Sequence, residues 1–353
     1  MGRRLETAST LTALAGFGIG VVVGAAALVS NFCALGGVAD ILFAKDWRRM
    51  RCWMLAAGIA VIGTQALDSA SILHVDHILL PYMLWLPCII GGMLFGFGMA
   101  IAGGCINRAL VRLGAGSLKS LVIVLVAGAV SALTLAGPLT PGADALARVG
   151  RLDLMVAPEA LHRIFGMLPM LDAEMVRWVF TALIGGGLVY HALKDSWFRA
   201  TRDQLVAGFV IGAMIPLAWL ASDSTTAINF AAPLGSLFLI FSERAVPLFA
   251  LAIVAGVPVG AFIAGLVTNN LALETFTDRG EIPRNLVGAA LMGFGGTIAL
   301  GCTFGQGLSG ISLLSPNAML TVAGIVFGCI WGIRYFEAGG VWSGLKLAVR
   351  TCV

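Results

Sequence analysis

Charged side chains are scarce in this chain. Asp, Glu, Lys and Arg make up 11% of its 353 residues, against roughly 25% in soluble proteins. A soluble domain of this length needs more polar surface, which excludes cytosolic enzymes, secreted disulfide scaffolds and nucleic-acid binders. The charges are also nearly balanced, 22 basic against 18 acidic, so there is no polybasic stripe for nucleic acid. Histidine is rarer still: His74, His77, His162 and His191 all fall in loops or at the end of an apolar run. Within those runs Asp68 is the one acidic residue away from a flank. Proton relays and cation sites in membranes usually need such carboxylates or histidines, so a carboxylate-driven pump is poorly supported. The seven cysteines, an odd number, contain no CxxC pair and form no cluster with histidine. That argues against a zinc site, a disulfide framework or any bound cofactor.

What the chain does have is apolar length. Hydrophobic residues reach 59%, and about 20 in a row cross a bilayer as a helix. Nine segments are expected to do so: 10–29, 53–73, 82–103, 117–137, 176–192, 205–222, 246–268, 285–302 and 316–335. The first is too long for a signal-peptide core and ends without a small-residue cleavage site, so it reads as a span. Four apolar stretches too short to cross, 31–43, 105–113, 224–242 and 303–312, read as re-entrant half-helices. Broken backbone at membrane depth is tolerated where it is buried in protein or lines a polar cavity. The expected fold is therefore an all-α polytopic membrane protein, a single integral domain over 1–353 with an internal site.

The chain is also duplicated. Gly91 to Cys105, GGMLFGFGMAIAGGC, aligns with Gly288 to Cys302, GAALMGFGGTIALGC, with nine identities in fifteen positions at an offset of 197. Asn31-Phe32-Cys33-Ala34 likewise matches Asn229-Phe230-Ala231-Ala232. Repeat one covers about 10–137 and repeat two about 205–335, joined by 138–204. Five spans separate the two starts, an odd number, so the copies are expected to be inverted. With that topology 15 of the 22 basic residues fall on one side, among them Arg48, Arg108, Arg284 and Arg350. The richer side is expected to be cytoplasmic, with the N-terminus outside and the C-terminus inside. The segment 138–174 then lies outside, and Pro158 to Phe165 reads as a helix on the membrane surface.

The strongest local pattern is a glycine-rich span that ends in Gly-Cys and runs into a half-helix, once at Gly104-Cys105-Ile106-Asn107 and once at Gly301-Cys302-Thr303-Phe304-Gly305-Gln306. Glycine lets backbone approach a ligand, and a half-helix N-terminus offers free N–H groups and partial positive charge. Such a site suits an anion. A thiol at both mouths, with Cys33 beside the first, adds soft and polarizable groups that match an anion carrying its own sulfur. The bland reading of a membrane cysteine is a small hydrophobe, and Cys52, Cys88, Cys329 and Cys352 are read so. Gly307-Leu308-Ser309-Gly310 spells the GxSG nucleophile motif of rhomboid-type proteases. That serine would need a base, and no histidine follows position 191, so no catalytic residue is assigned.

The run GGMLFGFGMAIAGGCINRALVRLGAGSLKSL, with SNFCALGG before it and GFGGTIALGCTFGQGLSG in the second half, resembles the YeeE/YedE family of sulfur-compound transporters. The resemblance covers nearly the whole chain. It implies uptake of thiosulfate or a related sulfur anion into a bacterial cell across the inner membrane, along a path lined by three cysteines that fall here on Cys33, Cys105 and Cys302. Gly104, Gly301, Asn31, Asn107, Thr303 and Gln306 flank them and are expected to line the same path. The family also implies a small soluble sulfur-carrier protein as a cytoplasmic partner; no such hydrophilic domain is present in this chain. Ile106-Asn107-Arg108 departs from the family, many of whose members carry more glycine there. The alternative is a membrane thiol redox or sulfur-transfer protein, for which the spaced cysteines would have to pair.

Overall fold

The structure, a computed structural model, describes residues 2–73, 78–80, 82–153, 173–222, 227–239, 248–276 and 278–352. It is helical almost throughout. Repeat one comprises α1 (Gly2–Val29), α2 (Ala34–Ala44), α3 (Arg48–Ser69), α4 (Trp85–Ala102), α5 (Ile106–Gly114) and α6 (Leu118–Ala136). The connection contributes α7 (Thr140–Val149), α8 (Ala173–Phe180), α9 (Gly187–Leu193) and α10 (Ser196–Ala200), with a π-helical stretch, Thr181–Gly186, joining α8 to α9. Repeat two comprises α11 (Arg202–Ala221), α12 (Ala231–Phe238), α13 (Leu248–Thr268), α14 (Glu281–Ile298), a π-helical turn Gly305–Gly310, and α15 (Pro316–Ala338). A final helix, α16 (Val341–Cys352), packs back on α15. A two-residue antiparallel pairing ties Met83 and Leu84 to Leu152 and Arg151.

Among the described residues eight helices are long and apolar enough to cross a bilayer, and they account for eight of the nine expected spans. The ninth, 285–302, is α14, whose 18 residues begin with Glu281 and Arg284 and give way at Ala299 to a turn. Its polar first turn and short length keep it out of the eight, although it packs against both α4 and α6. The half-helices also shift slightly. The stretch 31–43 forms α2 and 105–113 forms α5. The stretch 303–312 winds as a π turn, and only Ala231–Phe238 of 224–242 is a described helix. The surface helix expected at Pro158 to Phe165 lies outside the described residues.

Packing follows the duplication. Helix α1 lies along α13 as α11 lies along α3, and α4 packs on α15 as α6 packs on α14. Close approach is made possible by glycine at matching positions. A Cβ on Gly16 would stand 2.7 Å from the carbonyl oxygen of Phe249, and one on its repeat counterpart Gly208 would stand 3.0 Å from that of Cys52. In a bilayer, where apolar burial gives no advantage over lipid, such backbone-to-backbone contact supplies the dispersion energy that holds spans together. The connecting helices sit outside this symmetric arrangement. They are fastened to α3 by Arg177 on Asp68 at 2.5 Å, with side chains 12% and 10% exposed, and near the other end by Arg51 on Asp195. An ion pair this dry is favourable only with its geometry satisfied, so it fixes where α8 and α9 stand.

Candidate functional site

Both repeats break their glycine-rich helix in the same way. The chain leaves α4 through Gly103 in the left-handed region, φ 75°, and leaves α14 through Leu300, φ 61°. Gly104 and Gly301, both buried, complete the turns. The next residue in each case is the cysteine. Cys105 is the extended N-cap of α5, with its carbonyl accepting from Ala109 N at 2.9 Å. Cys302 lies just ahead of the π turn, whose N-cap is Phe304, and its carbonyl accepts from Gln306 N at 2.8 Å. Cys33 is the third such residue, at the N-cap of α2.

Two of the three expected path thiols, Cys33 and Cys105, therefore cap a half-helix, and Cys302 stands in the turn just before the third. The Sγ of Cys33 accepts from Gly36 N at 3.4 Å, and that of Cys302 from Gly305 N at 3.5 Å. Cys105 lies close enough to interact with both Cys33 and Cys302, and with the Thr303 side chain and the Arg108 backbone N–H. All three are 6% exposed or less. The fourth half-helix, α12, has Ala231 where a thiol would stand by symmetry, and there the Asn229 side chain accepts from Ala231 N at 3.3 Å. None of the cysteines described here is in a disulfide.

The polar residues expected along the path divide into three places. Asn107, on the first turn of α5, is 1% exposed, yet neither amide atom has a hydrogen-bond partner among the described residues. The Thr303 hydroxyl, facing Cys105, has no partner in hydrogen-bond geometry either. Buried polar atoms left without partners cost about 1–3 kcal/mol each, and native structures keep few of them unless a ligand, ion or water uses them. Gln306 instead faces a cavity of about 310 Å³ on the repeat-two side, shared with Asn229, Gly305 and Ser309. Asn31 is exposed at the opposite mouth, in a left-handed conformation with φ 52°, and its Oδ1 accepts from Arg108.

Sequence reasoning missed the aromatic collar around the thiols. Phe304 makes edge contacts with Phe32 and with Phe230, each at 5.5 Å between ring centroids, and Phe32 stacks on Trp53 at 6.2 Å. Phe32 and Phe230 occupy matching positions of the duplicated Asn-Phe motif, a signal that was present in the sequence. Cys329, read as a packing residue, lies near enough to interact with Cys33 and Cys105. Cys52 is committed elsewhere, its thiol 3.1 Å from the Gln204 carbonyl.

Ser309 has a structural assignment. Its hydroxyl donates to the Ile228 carbonyl at 3.1 Å and accepts from Ile228 N at 3.2 Å, which ties the π turn to the segment before α12. A hydroxyl engaged twice with backbone is not poised as a nucleophile, and a transport role fits the site better than catalysis. Comparison with known proteins points the same way. The chain is 24% identical over 336 residues to the thiosulfate transporter TsuA of Escherichia coli (strain K12), an alignment that takes in 90% of this chain and 92% of the relative. Residues 29–331, which hold both Gly-Cys motifs and all four half-helices, match the model of the sulphur transport family, and the chain belongs to that family.

Proposed function

We propose that the protein takes up thiosulfate, or a related anion with an exposed sulfur, along a path that passes Cys33, Cys105 and Cys302. The observation that carries this reading is the placement of two buried thiols, Cys33 and Cys105, as N-caps of half-helices and of a third, Cys302, in the turn just before the π-helical one, with Cys105 close enough to interact with the other two. The half-helix N–H groups supply the attraction for negative charge. The thiols supply weak S–H donors to the terminal sulfur of the guest, so the anion can pass from one to the next without a covalent bond. Asn107 offers amide atoms without a hydrogen-bond partner among the described residues, and the Thr303 hydroxyl faces Cys105. Gly104 and Gly301 keep side chains out of the turns.

The positive-charge distribution supports an N-terminus outside and a C-terminus inside, with the repeats inverted in the bacterial inner membrane. On that topology the cavity beside Gln306 opens outward and the Asn31 mouth opens to the cytoplasm. Entry of a dianion against a negative-inside potential costs about 2.3 kcal/mol per charge per 100 mV. With no carboxylate relay beside the thiols among the described residues, a soluble sulfur carrier that consumes the anion in the cytoplasm would supply the driving force. The test is uptake of radiolabelled thiosulfate, against sulfate, into vesicles containing this protein alone. Saturable thiosulfate uptake with sulfate excluded is expected; equal handling of both would refute the role of sulfur in recognition.

A further inference from the structure

The two mouths of the path are built from matching residues, but at the matching position only repeat one carries a charged side chain. In the aligned motifs Arg108 stands where repeat two has Gly305, and Asn31 stands where it has Asn229. On the repeat-two side the Asn229 side chain lies so close to Gly305 that a Cβ there would be 2.8 Å from its Oδ1. Glycine leaves that mouth open to the cavity lined by Asn229, Gly305 and Gln306. On the repeat-one side the Arg108 guanidinium spans the same gap and donates from Nη1 and Nη2 to Asn31 Oδ1, both at 3.4 Å.

Those contacts are long for hydrogen bonds, whose usual N–H···O distance is about 2.7–3.2 Å, and the acceptor is a neutral amide. The neighbouring Arg49 is held differently. It pairs with the Asp40 carboxylate at 3.2 Å while its Nη1 lies against Gly36, beside the Cys33 cap. Arg108 has no carboxylate partner among the described residues, and its own backbone N–H interacts with the Cys105 thiol. Arginine is thus attached directly to the central cysteine's half-helix, with its charge resting on a weak acceptor. Arginine binds oxyanions through a planar fork and prefers a charged acceptor to an amide.

We infer that Arg108 is a charged gate on the repeat-one mouth, resting on Asn31 when the path is empty and transferring its guanidinium to the anion's oxygens as the anion reaches Cys105 and Cys33. The inference rests on the transport reading above and adds to it a residue that acts on one face only. Repeat two has no such gate, since Gly305 occupies the position.

The test measures the half-saturation concentration for radiolabelled thiosulfate from each side of the membrane, in right-side-out and inside-out vesicles. Arg108→Gln, which can still reach Asn31 but carries no charge, is expected to raise it tenfold or more on one face and leave the other unchanged. Arg108→Lys, which keeps the charge and loses the planar fork, is expected to raise it on the same face by less than Arg108→Gln does. An equal rise on both faces in Arg108→Gln, or none on either, overturns the gate. Absence of thiosulfate movement by the parent would instead refute the transport reading, an outcome distinct from all of these.

Discussion

Asn107→Leu is expected to make the protein more stable and abolish its transport. Asn107 is 1% exposed and both its amide atoms lack partners among the described residues. Leucine has the same number of heavy atoms and needs no hydrogen bonds. Each unpaired buried polar atom costs about 1–3 kcal/mol, and allowing for some misfit of the leucine methyls, the variant should gain about 1–3 kcal/mol in the absence of anion. In detergent this reads as an unfolding midpoint a few degrees higher. Thiosulfate should reverse the order. A ligand at about 100 times its dissociation constant stabilises the native state by about 2.7 kcal/mol, and only the parent would show that shift. Thermal unfolding with and without thiosulfate therefore gives crossed rankings. If Asn107→Leu unfolds at a lower temperature than the parent without anion, Asn107 is a packing residue and is not held for a ligand.

Three further outcomes are expected. Ser309→Ala should retain uptake at reduced stability, by about 1 kcal/mol for its two backbone hydrogen bonds, and serine-directed fluorophosphonates should not label the parent; stoichiometric labelling lost in the variant would contradict this. Gly324→Ala would place a Cβ 2.7 Å from the Ile89 carbonyl and 3.2 Å from Met93 N, all backbone, so α4 and α15 must separate, and a loss of about 1–3 kcal/mol is expected in the unfolding midpoint. The hydrogen bond from Arg112, 2.7 Å long, holds the Glu274 carboxyl below its ordinary range, with that guanidinium's charge adding to it. This exposed pair contributes less than about 1 kcal/mol. A lowered folded-state pKa gives stability that is complete above the unfolded value and is lost as pH falls through the folded one, so an acid titration of Glu274→Gln should lack that small loss.

The parts of the fold that were legible in the sequence are those written in glycine and hydropathy. Both helix breaks could be placed because the fifteen-residue motif ends in Gly-Cys in each copy, and the structure turns at Gly103 and Leu300, one residue before those glycines. The pairing of α1 with α13 and of α11 with α3 was not legible, because apolar spans carry no mark of their neighbours beyond small residues. The segment 285–302 showed the limit of counting apolar residues, since Glu281 and Arg284 enter the helix that it forms. Of the collar, Phe32 and Phe230 were marked by the duplicated Asn-Phe motif, whereas Phe304 has no such counterpart and phenylalanine is ordinary in a span. Arg108 and Asn31 are 77 positions apart, and only folding shows that they meet. Charge counting treated Arg108 as one more basic residue on the richer side.

The central claim is that a thiol at position 105 is needed to move a sulfur anion. Cys105→Ser changes that one atom, keeping a hydroxyl of similar size and better hydrogen-bonding power but without sulfur's polarizability. The decisive measurement is the initial rate of radiolabelled thiosulfate uptake by Cys105→Ser and by the parent, at equal membrane content, with Cys52→Ala as a control whose thiol donates to the Gln204 carbonyl. Uptake reduced to background in Cys105→Ser and near the parental rate in Cys52→Ala is predicted. Parental uptake in Cys105→Ser would show that the half-helix backbone alone carries the anion.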